Sequence, residues 1–510
     1  MQYSFNSNTR LEEHFKINVK KFPKKIAISC NGFDLTYEEL DQKSNVIAHL
    51  VKDNLEEDTQ YVGLSMNRGV EMIISILGIL KAGAAYIPID PSNNPIDRIK
   101  LCLSEVNLKL LITDRTIDIK NVKTLLVKRD TFSEPTQGSI KGITPHKKNE
   151  FAYAIFTSGT TGIPKAVPIK HDNVVSLFHN STKIFDFNED DIWTLFHSFA
   201  FDFSVWEIWG ALLLGGKLEI VSNNVAKNIA RFRRFLTDKK ITVLNQTPSA
   251  FYNLIKTDQS KESKIESLRY VILGGEKLDL KLLEPWINKY ADSSKLFSGY
   301  GTTETTVFTS FKYLNAKDLT KNTDLSPLGK AIPGSDMVLI GEDDQIATQG
   351  ELYISGEGLS DGYLNRADLN KKKFISKIVL GKTVKYYRTG DLAFEKNGEL
   401  YCLGRADSQV KFNGYRIELE GIESIIMSHP KVMRSIVFVD NTFAYPRLLS
   451  FLEPFDKVSA ESESQILSEV KNLAESLLPF YMVPSEFMII DKIPLTINGK
   501  TNHKKLLELS

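Results

Sequence analysis

Cysteine is scarce in this chain: Cys30, Cys102 and Cys402 are the only three in 510 residues, and they stand far apart with no CxxC pair. That spacing supports neither a disulfide framework nor a cysteine-held zinc site, and a reducing, cytoplasmic setting is the expectation. Excess charge of one sign is lacking as well. The chain has 64 Lys and Arg against 63 Asp and Glu, a formal net charge of +1, which removes the electrostatic motive for a nucleic-acid or acidic-membrane partner. No apolar run approaches the ~18–20 residues of a membrane span, and the opening MQYSFNSNTRLEEHF has no basic-then-apolar signal pattern. Nothing repeats with a period of about 20–50 residues, which sets aside solenoids and propellers.

What is present is length and alternation. At 510 residues the chain is about three times a typical domain, enough for a large layered body and at least one further unit. Short apolar runs at Lys25–Ser29, Tyr61–Ser65 and Leu108–Thr113 alternate with longer segments of helical spacing, over Thr36–Asp53 and Gly69–Ala82. The first of these helices opens on the capping-box pattern TYEE at Thr36. Residues 125–150 are polar, Lys-rich and weakly periodic, and read as a surface connection into the apolar strand that begins at Phe151. Past residue 340, short β-like runs with Gly-rich turns (GELYISG, NGELYCLG) predict a meander or distorted barrel. From about Ala406 the texture is that of a compact α+β unit of roughly 100 residues. The expected fold is therefore α/β: a large multi-layer N-terminal domain over 1–406, with β-sheets flanked by helices and a small barrel-like portion, and a small mobile α+β C-terminal domain over 407–510.

The segment TSGTTGIPK, Thr157 to Lys165, follows an apolar strand directly and gathers two glycines, four hydroxyls and a lysine into nine residues. Such a composition suits a phosphate chain: Gly159 and Gly162 allow close backbone approach, Thr157, Ser158, Thr160 and Thr161 add donors, and Lys165 adds charge. The order differs from a Walker A loop, which occurs nowhere in the chain. Taken alone, the segment also reads as a solvated turn.

With the residues that follow, TSGTTGIPKAV resembles the signature of the adenylate-forming superfamily, which includes acyl-CoA synthetases, luciferases and nonribosomal peptide adenylation domains. Further matches run in the same order along nearly the whole chain: LKAGAAYIPID from Leu80, FDFSVWE from Phe201, GYGTTET from Gly299, YRTGD from Tyr387, GRADSQVK from Gly404 and NGK ending at Lys500. Ala166 stands where the signature usually has Gly, and Thr302 where Pro is common. The resemblance implies ATP and Mg²⁺ as the chemical partners. It places Thr157, Ser158, Gly159, Thr160, Thr161, Gly162, Lys165, Gly275, Glu276, Tyr300, Gly301, Thr303, Asp391 and Arg405 around the nucleotide. Within that set Tyr300 offers a face to adenine and Asp391 accepts from the ribose hydroxyls. Glu304 becomes the Mg²⁺-side carboxylate and Lys500 the lysine that bridges substrate carboxylate and nucleotide during adenylation. Asp407 becomes a hinge whose rotation withdraws Lys500 and presents Lys411 for thioester formation.

FDFSVWE is more similar to amino-acid-activating domains than to fatty acyl or aryl ligases, and the same resemblance pairs Asp202 with the substrate ammonium. In isolation Asp202 also reads as a helix N-cap, Tyr300 as a packing tyrosine, and Glu304, Lys411 and Lys500 as surface charges. The implied side-chain pocket is Asp202, Phe203, Trp206, Asn245, Ile272, Gly274, Gly299, Val307 and Phe308, a set similar to that of threonine-activating domains except at Gly299 and Phe308. Phe203 and Trp206 shorten such a pocket, Asn245 offers both a donor and an acceptor, and Ile272 with Val307 meets a methyl. The substrate expected is threonine or a similar small hydroxy amino acid. No DxFFxxGGxS-like carrier segment follows Lys500 and no condensation domain precedes residue 1, so the expectation is a stand-alone enzyme loading a separate phosphopantetheinylated carrier protein. Two other readings stay open: an acyl-CoA or D-alanine carrier-protein ligase on the same fold, and a non-catalytic nucleotide-binding sensor.

Overall fold

The computed structural model describes residues 9–56, 58–132, 149–319, 325–379, 381–412, 414–440, 446–456, 458–494 and 501–509. The chain divides into two compact units, one of residues 1–90, 107–155 and 166–406, the other of residues 91–106, 156–165 and 407–510.

In the first unit, helix Tyr37–Lys52 begins where the Thr36 hydroxyl accepts from the Glu39 amide at 3.2 Å and the Glu39 carboxylate accepts from the Thr36 amide at 2.8 Å. This is the reciprocal cap that TYEE predicts, and a cap of this kind contributes about 1 kcal/mol. Helix Val70–Lys81 packs on it through Gly78, where a Cβ would lie 2.5 Å from the Ile47 side chain. Both helices fall where their spacing predicts them.

Six strands form one sheet in the order Lys123–Leu126, Leu110–Thr113, Tyr61–Ser65, Ala85–Pro88, Phe151–Thr157 and Lys165–Lys170. The first of them corrects the reading of residues 125–150 as plain connection, since Lys123–Leu126 pairs in parallel with Leu110–Thr113. Its alternation is faint because three of its four residues are exposed at a sheet edge. Residues 133–148 of that stretch lie outside the described residues.

A second, 14-stranded sheet carries the candidate site. Strands Lys295–Tyr300, Tyr270–Leu273, Val243–Gln246, Ile192–Leu195, Lys217–Ile220 and Ile26–Cys30 lie side by side and parallel. Their near-continuous Val, Ile and Leu content follows from burial on both faces. Beyond Tyr300 the sheet turns antiparallel through Ser310–Leu314, Ser326–Ala331, Glu399–Arg405, Lys382–Lys396, Gln349–Gly356 and Ser335–Ile340. The part read as a meander or distorted barrel is this antiparallel run, continuous with the parallel strands.

The second unit is built on the hairpin Gln409–Phe412/Tyr415–Glu418, helix Leu419–Met427 and the three-stranded sheet of Val432–Asp440, Arg447–Pro454 and Glu486–Ile489. Helices Ala460–Leu477 and Ile96–Glu105 complete it. Ile417, Ile422, Ile426, Val470 and Ala474 form its fully buried centre. Among the described residues no helix is long and apolar enough to cross a membrane.

Candidate active site

Parallel strands expose ligand-binding groups at their carboxyl ends, and in the first unit Asn245, Ile272, Gly274, Gly299 and Tyr300 all stand at such ends. Asn245 and Ile272 are direct neighbours in the ladder. Helix Phe203–Leu213 brings Phe203 and Trp206 to the same place, both fully buried, and the Trp206 indole N–H donates to Asn245 Oδ1 at 3.0 Å. Phe308 meets Phe203 and Trp206 edge-on, with centroids 5.2 Å away from each. A Cβ built at Gly299 or Gly274 would come within 2.5 or 2.8 Å of the Phe308 ring. The two glycines therefore leave the room in which Phe308 lies, which accounts for the joint departure of Gly299 and Phe308 from the threonine-type set. Asn245 already accepts one hydrogen bond at its oxygen, while its Nδ2 has no partner among the described residues.

Asp202 stands at the N-cap position of helix Phe203–Leu213 but makes no capping bond, which removes the N-cap reading. Its carboxylate is 8% exposed and accepts from the Thr303 hydroxyl at 2.7 Å. Thr303, expected at the nucleotide, thus gives its hydroxyl hydrogen to Asp202. The turn that supplies it, Thr303–Thr305, carries Glu304 at 1% exposure, which removes the surface-charge reading of that residue. The Tyr363 hydroxyl donates to Glu304 Oε1 at 2.7 Å and lies 3.3 Å from the Tyr387 hydroxyl. The turn ends with Thr306 at φ +60° and Val307 at φ +67°. Two consecutive β-branched residues in left-handed backbone cost on the order of 1–3 kcal/mol each, a strain that collects where a turn must aim side chains. Gly301 lets the strand pass beneath them, since a Cβ there would lie 2.2 Å from the Val307 carbonyl oxygen.

Tyr300 is 7% exposed, its ring set in a buried cluster with Leu328, Leu352 and Ile354. Its hydroxyl donates to Asp391 Oδ2 at 2.6 Å, and burial followed by the Asp391 charge pushes that hydroxyl well above the ordinary tyrosine range. Arg405 donates to Asp391 Oδ1 at 2.6 Å and to the Thr389 carbonyl at 3.0 Å. The described contacts of Tyr300 and Arg405 are thus those of residues that orient Asp391. Each carboxylate oxygen can accept more than one bond, so Asp391 keeps capacity for a diol. Gly275 turns at φ +88°, and the Glu276 carboxylate beside it accepts from the Ser249 amide and hydroxyl at 2.8 and 2.6 Å.

Among the described residues no group of three or more His, Cys, Asp or Glu gathers as it would around a resident metal. A single buried carboxylate such as Glu304 fits instead an ion that arrives with phosphate oxygens, the usual mode of Mg²⁺.

The phosphate-type loop belongs to the second unit. Gly162 turns at φ +76° with its amide donating to the Gly159 carbonyl at 3.0 Å, and a Cβ there would lie 2.7 Å from Ile425. Arg98 donates to the Gly162 carbonyl at 2.9 Å, and the Ser158 hydroxyl to the Arg416 carbonyl at 2.9 Å. Lys165 is paired with the Glu418 carboxylate at 3.2 Å, and the same oxygen accepts from Gln409 Nε2. Thr157 donates to the Lys165 carbonyl at 3.4 Å, while Thr160 and Thr161 are exposed at the loop tip. Lys411 sits half-buried opposite Arg416 in the hairpin, and Asp407 opens the third segment of the unit. Lys500 lies outside the described residues. Sequence reasoning did not single out Tyr363, Glu418 or Thr303 in these roles, since each is defined by a contact far along the chain.

Residues 15–364 match the AMP-binding enzyme family and residues 421–500 the AMP-binding enzyme C-terminal domain. The chain belongs to that family, and it is an AMP-forming ligase. Within the family it is of the nonribosomal peptide adenylation type. It is 38% identical over 504 residues to syringomycin synthase SyrB1 of Pseudomonas syringae pv. syringae, covering 97% of this chain and 81% of that one. It is 37% identical over 516 residues to a dimodular nonribosomal peptide synthase of Bacillus subtilis (strain 168), covering 97% of this chain and 21% of that much longer protein. The holo form of PA1221, a nonribosomal peptide synthetase protein containing adenylation and PCP domains, superposes with a TM-score of 0.83 at 25% identity, over 99% of this chain and 85% of that one. The fused NpsA-ThdA adenylation-PCP di-domain from Klebsiella oxytoca shares the fold, with a TM-score of 0.82 at 24% identity, over 96% and 94% of the two chains.

Proposed function

We propose that the protein activates threonine, or a similar small hydroxy amino acid, as the aminoacyl-adenylate and transfers the aminoacyl group to the phosphopantetheine thiol of a carrier protein. The observation that carries this reading is the buried group of Asp202, Phe203, Trp206, Asn245, Ile272 and Phe308 at the strand ends. An oriented carboxylate would supply the partner of an ammonium, three rings set edge-on at 5.2 Å would wall off a long side chain, and one amide would supply polarity. In the first step a carboxylate oxygen of the amino acid attacks the α-phosphorus of ATP and pyrophosphate leaves. In the second the thiol sulfur attacks the adenylate carbonyl and AMP leaves. Asp202 would hold the amino group, Asp391 the ribose and Glu304 a Mg²⁺ ion, which would supply positive charge against the negative charge developing during phosphoryl transfer. The loop Thr157–Lys165 has the chemistry of a phosphate binder, and Lys165 would exchange its bond to Glu418 for one to phosphate.

Amino-acid-dependent pyrophosphate exchange across all common amino acids tests this directly. Threonine should exceed serine by roughly 10- to 200-fold, the range that one methyl provides. Exchange led by a large aromatic or long aliphatic amino acid would sink the threonine reading and leave adenylation standing. Release on coenzyme A with simple acids would favour the acyl-CoA ligase instead.

A second prediction concerns Tyr363. Its hydroxyl bonds Glu304, so Tyr363→Phe should weaken metal use by about 10- to 100-fold, the effect of removing a group that orients a metal ligand. The measurement is the Mg²⁺ concentration for half-maximal exchange, with the threonine KM expected to hold. An unchanged Mg²⁺ dependence would make Tyr363 a packing residue only.

A further inference from the structure

Glu207 ends the motif FDFSVWE and is 0% exposed. A carboxylate is buried at a cost unless its oxygens are bonded, and here both are. Oε1 accepts from the Phe196 amide at 3.0 Å and Oε2 from the His197 amide at 3.1 Å. Those amides lie just past strand Ile192–Leu195, so the bonds run from helix Phe203–Leu213 back to the end of the strand that precedes it. They bind residues 196–207 into one closed segment with Asp202 midway along it. On the helix, Glu207 lies one turn beyond Phe203 on the same face.

His197 completes the arrangement. Its Nδ1 stands 3.2 Å from Glu207 Oε2, and its ring lies flat on that of Phe203, with centroids 4.3 Å apart and planes at 14°. The Arg68 guanidinium donates to the Phe196 carbonyl at 2.7 Å, and the Ser198 hydroxyl to the Asp90 carboxylate at 2.6 Å. Residues 196, 197 and 198 are thus each tied to a residue elsewhere in the first unit.

We infer that Glu207 is a positioning residue for amino-acid activation: by clamping the ends of this segment it sets the place of the Asp202 carboxylate, and so governs how tightly the substrate ammonium is held. The inference rests on the proposed pairing of Asp202 with that ammonium. The clamp requires a carboxylate in particular. Two amide N–H groups need two acceptors, whereas glutamine offers one oxygen and an NH₂ that would meet the second amide donor to donor. A clamp that only supported the fold would affect both substrates of the enzyme alike, while one that places Asp202 acts on the amino acid and leaves ATP alone.

The test is Glu207→Gln in the full chain, assayed by pyrophosphate exchange. The threonine KM should rise roughly 10- to 100-fold, the worth of one hydrogen bond to a charged group, with the ATP KM unchanged. The α-hydroxy analogue of threonine, 2,3-dihydroxybutyrate, has a neutral hydroxyl where threonine has the ammonium, and its inhibition constant against threonine should hold. An unchanged threonine KM, a joint rise of both KM values, or equal weakening of threonine and the analogue would overturn the inference. Should Glu207→Gln lack the cooperative thermal transition of the wild type, His197→Phe decides the matter. It keeps a flat ring on Phe203 and removes the nitrogen beside the carboxylate, so the threonine KM should rise about 2- to 10-fold, the range of a single polar contact, again with the ATP KM held; no rise would overturn the inference. Where another amino acid leads in the wild type, that one and its α-hydroxy analogue replace threonine, which separates the inference from the choice of side chain. A wild type that activates no amino acid would overturn both.

Discussion

Asp202→Ala should lose nearly all amino-acid-dependent pyrophosphate exchange. The carboxylate is buried and oriented by Thr303, and it spends nothing on capping its own helix. A buried carboxylate needs a cation, and a substrate ammonium entering beside it gains a charge-assisted bond that water cannot replace once the pocket closes. Removing one partner of such a pair leaves the other charge uncompensated, at a cost of about 3–5 kcal/mol, or roughly two to four orders of magnitude in kcat/KM. Asp202→Asn preserves the shape and the acceptor for Thr303, so it should lose almost as much. Thr303→Ala keeps the charge and should lose only about tenfold, the worth of one hydrogen bond to a charged group. ATP binding, followed by ligand-induced stabilisation, should be unaffected in all three. Exchange retained by Asp202→Ala would remove the ammonium-pairing role.

Lys500→Ala should separate the two half-reactions. On the resemblance that assigns it, Lys500 places a positive charge between the substrate carboxylate and the nucleotide while the phosphoryl bond changes hands. Loss of one such charge-stabilising group costs about 10²–10³ in rate. Thioester formation from added aminoacyl-adenylate needs no charge there, because the carboxylate is already neutralised as the mixed anhydride, and it should be largely spared. Both rates are accessible in single-turnover experiments with a phosphopantetheinylated carrier. Equal loss in the two steps would count against the division of labour and would point to a general structural role for the C-terminal segment.

The two helices of the first unit can be placed from local pattern, because their determinants are short-range: the TYEE cap at Thr36 and the apolar spacing of residues 70–81 act within a few residues. The motif positions are legible for the same reason. Lys123–Leu126 is not, because an exposed edge strand carries little alternation. The contacts that define the candidate site are not legible at all. Trp206 reaches Asn245 across 39 positions, Tyr363 reaches Glu304 across 59, and Lys165 reaches Glu418 across 253. Nothing in a local window signals them, and each supplies a partner that the motifs do not: Trp206 for Asn245, Tyr363 for Glu304 and Glu418 for Lys165. Gly299 and Phe308 look like two separate departures from a pattern until the fold shows one ring occupying the space of a missing side chain.

The second unit draws on three separated stretches of chain, and this has a consequence for the order in which the protein is made. The loop Thr157–Lys165 and helix Ile96–Glu105 leave the ribosome well before Glu418, Gly421 and Ile425, against which the loop is finished, because residues 166–406 intervene. At about 5–20 residues per second, that gap lasts roughly 10 to 50 s. Through that interval Lys165 has no Glu418, and Gly162 no Ile425, to hold it. The nascent chain therefore carries two unfinished pieces of the second unit while the first is still being made, and the phosphate-type loop can make these contacts only after Glu418 and Ile425 have emerged.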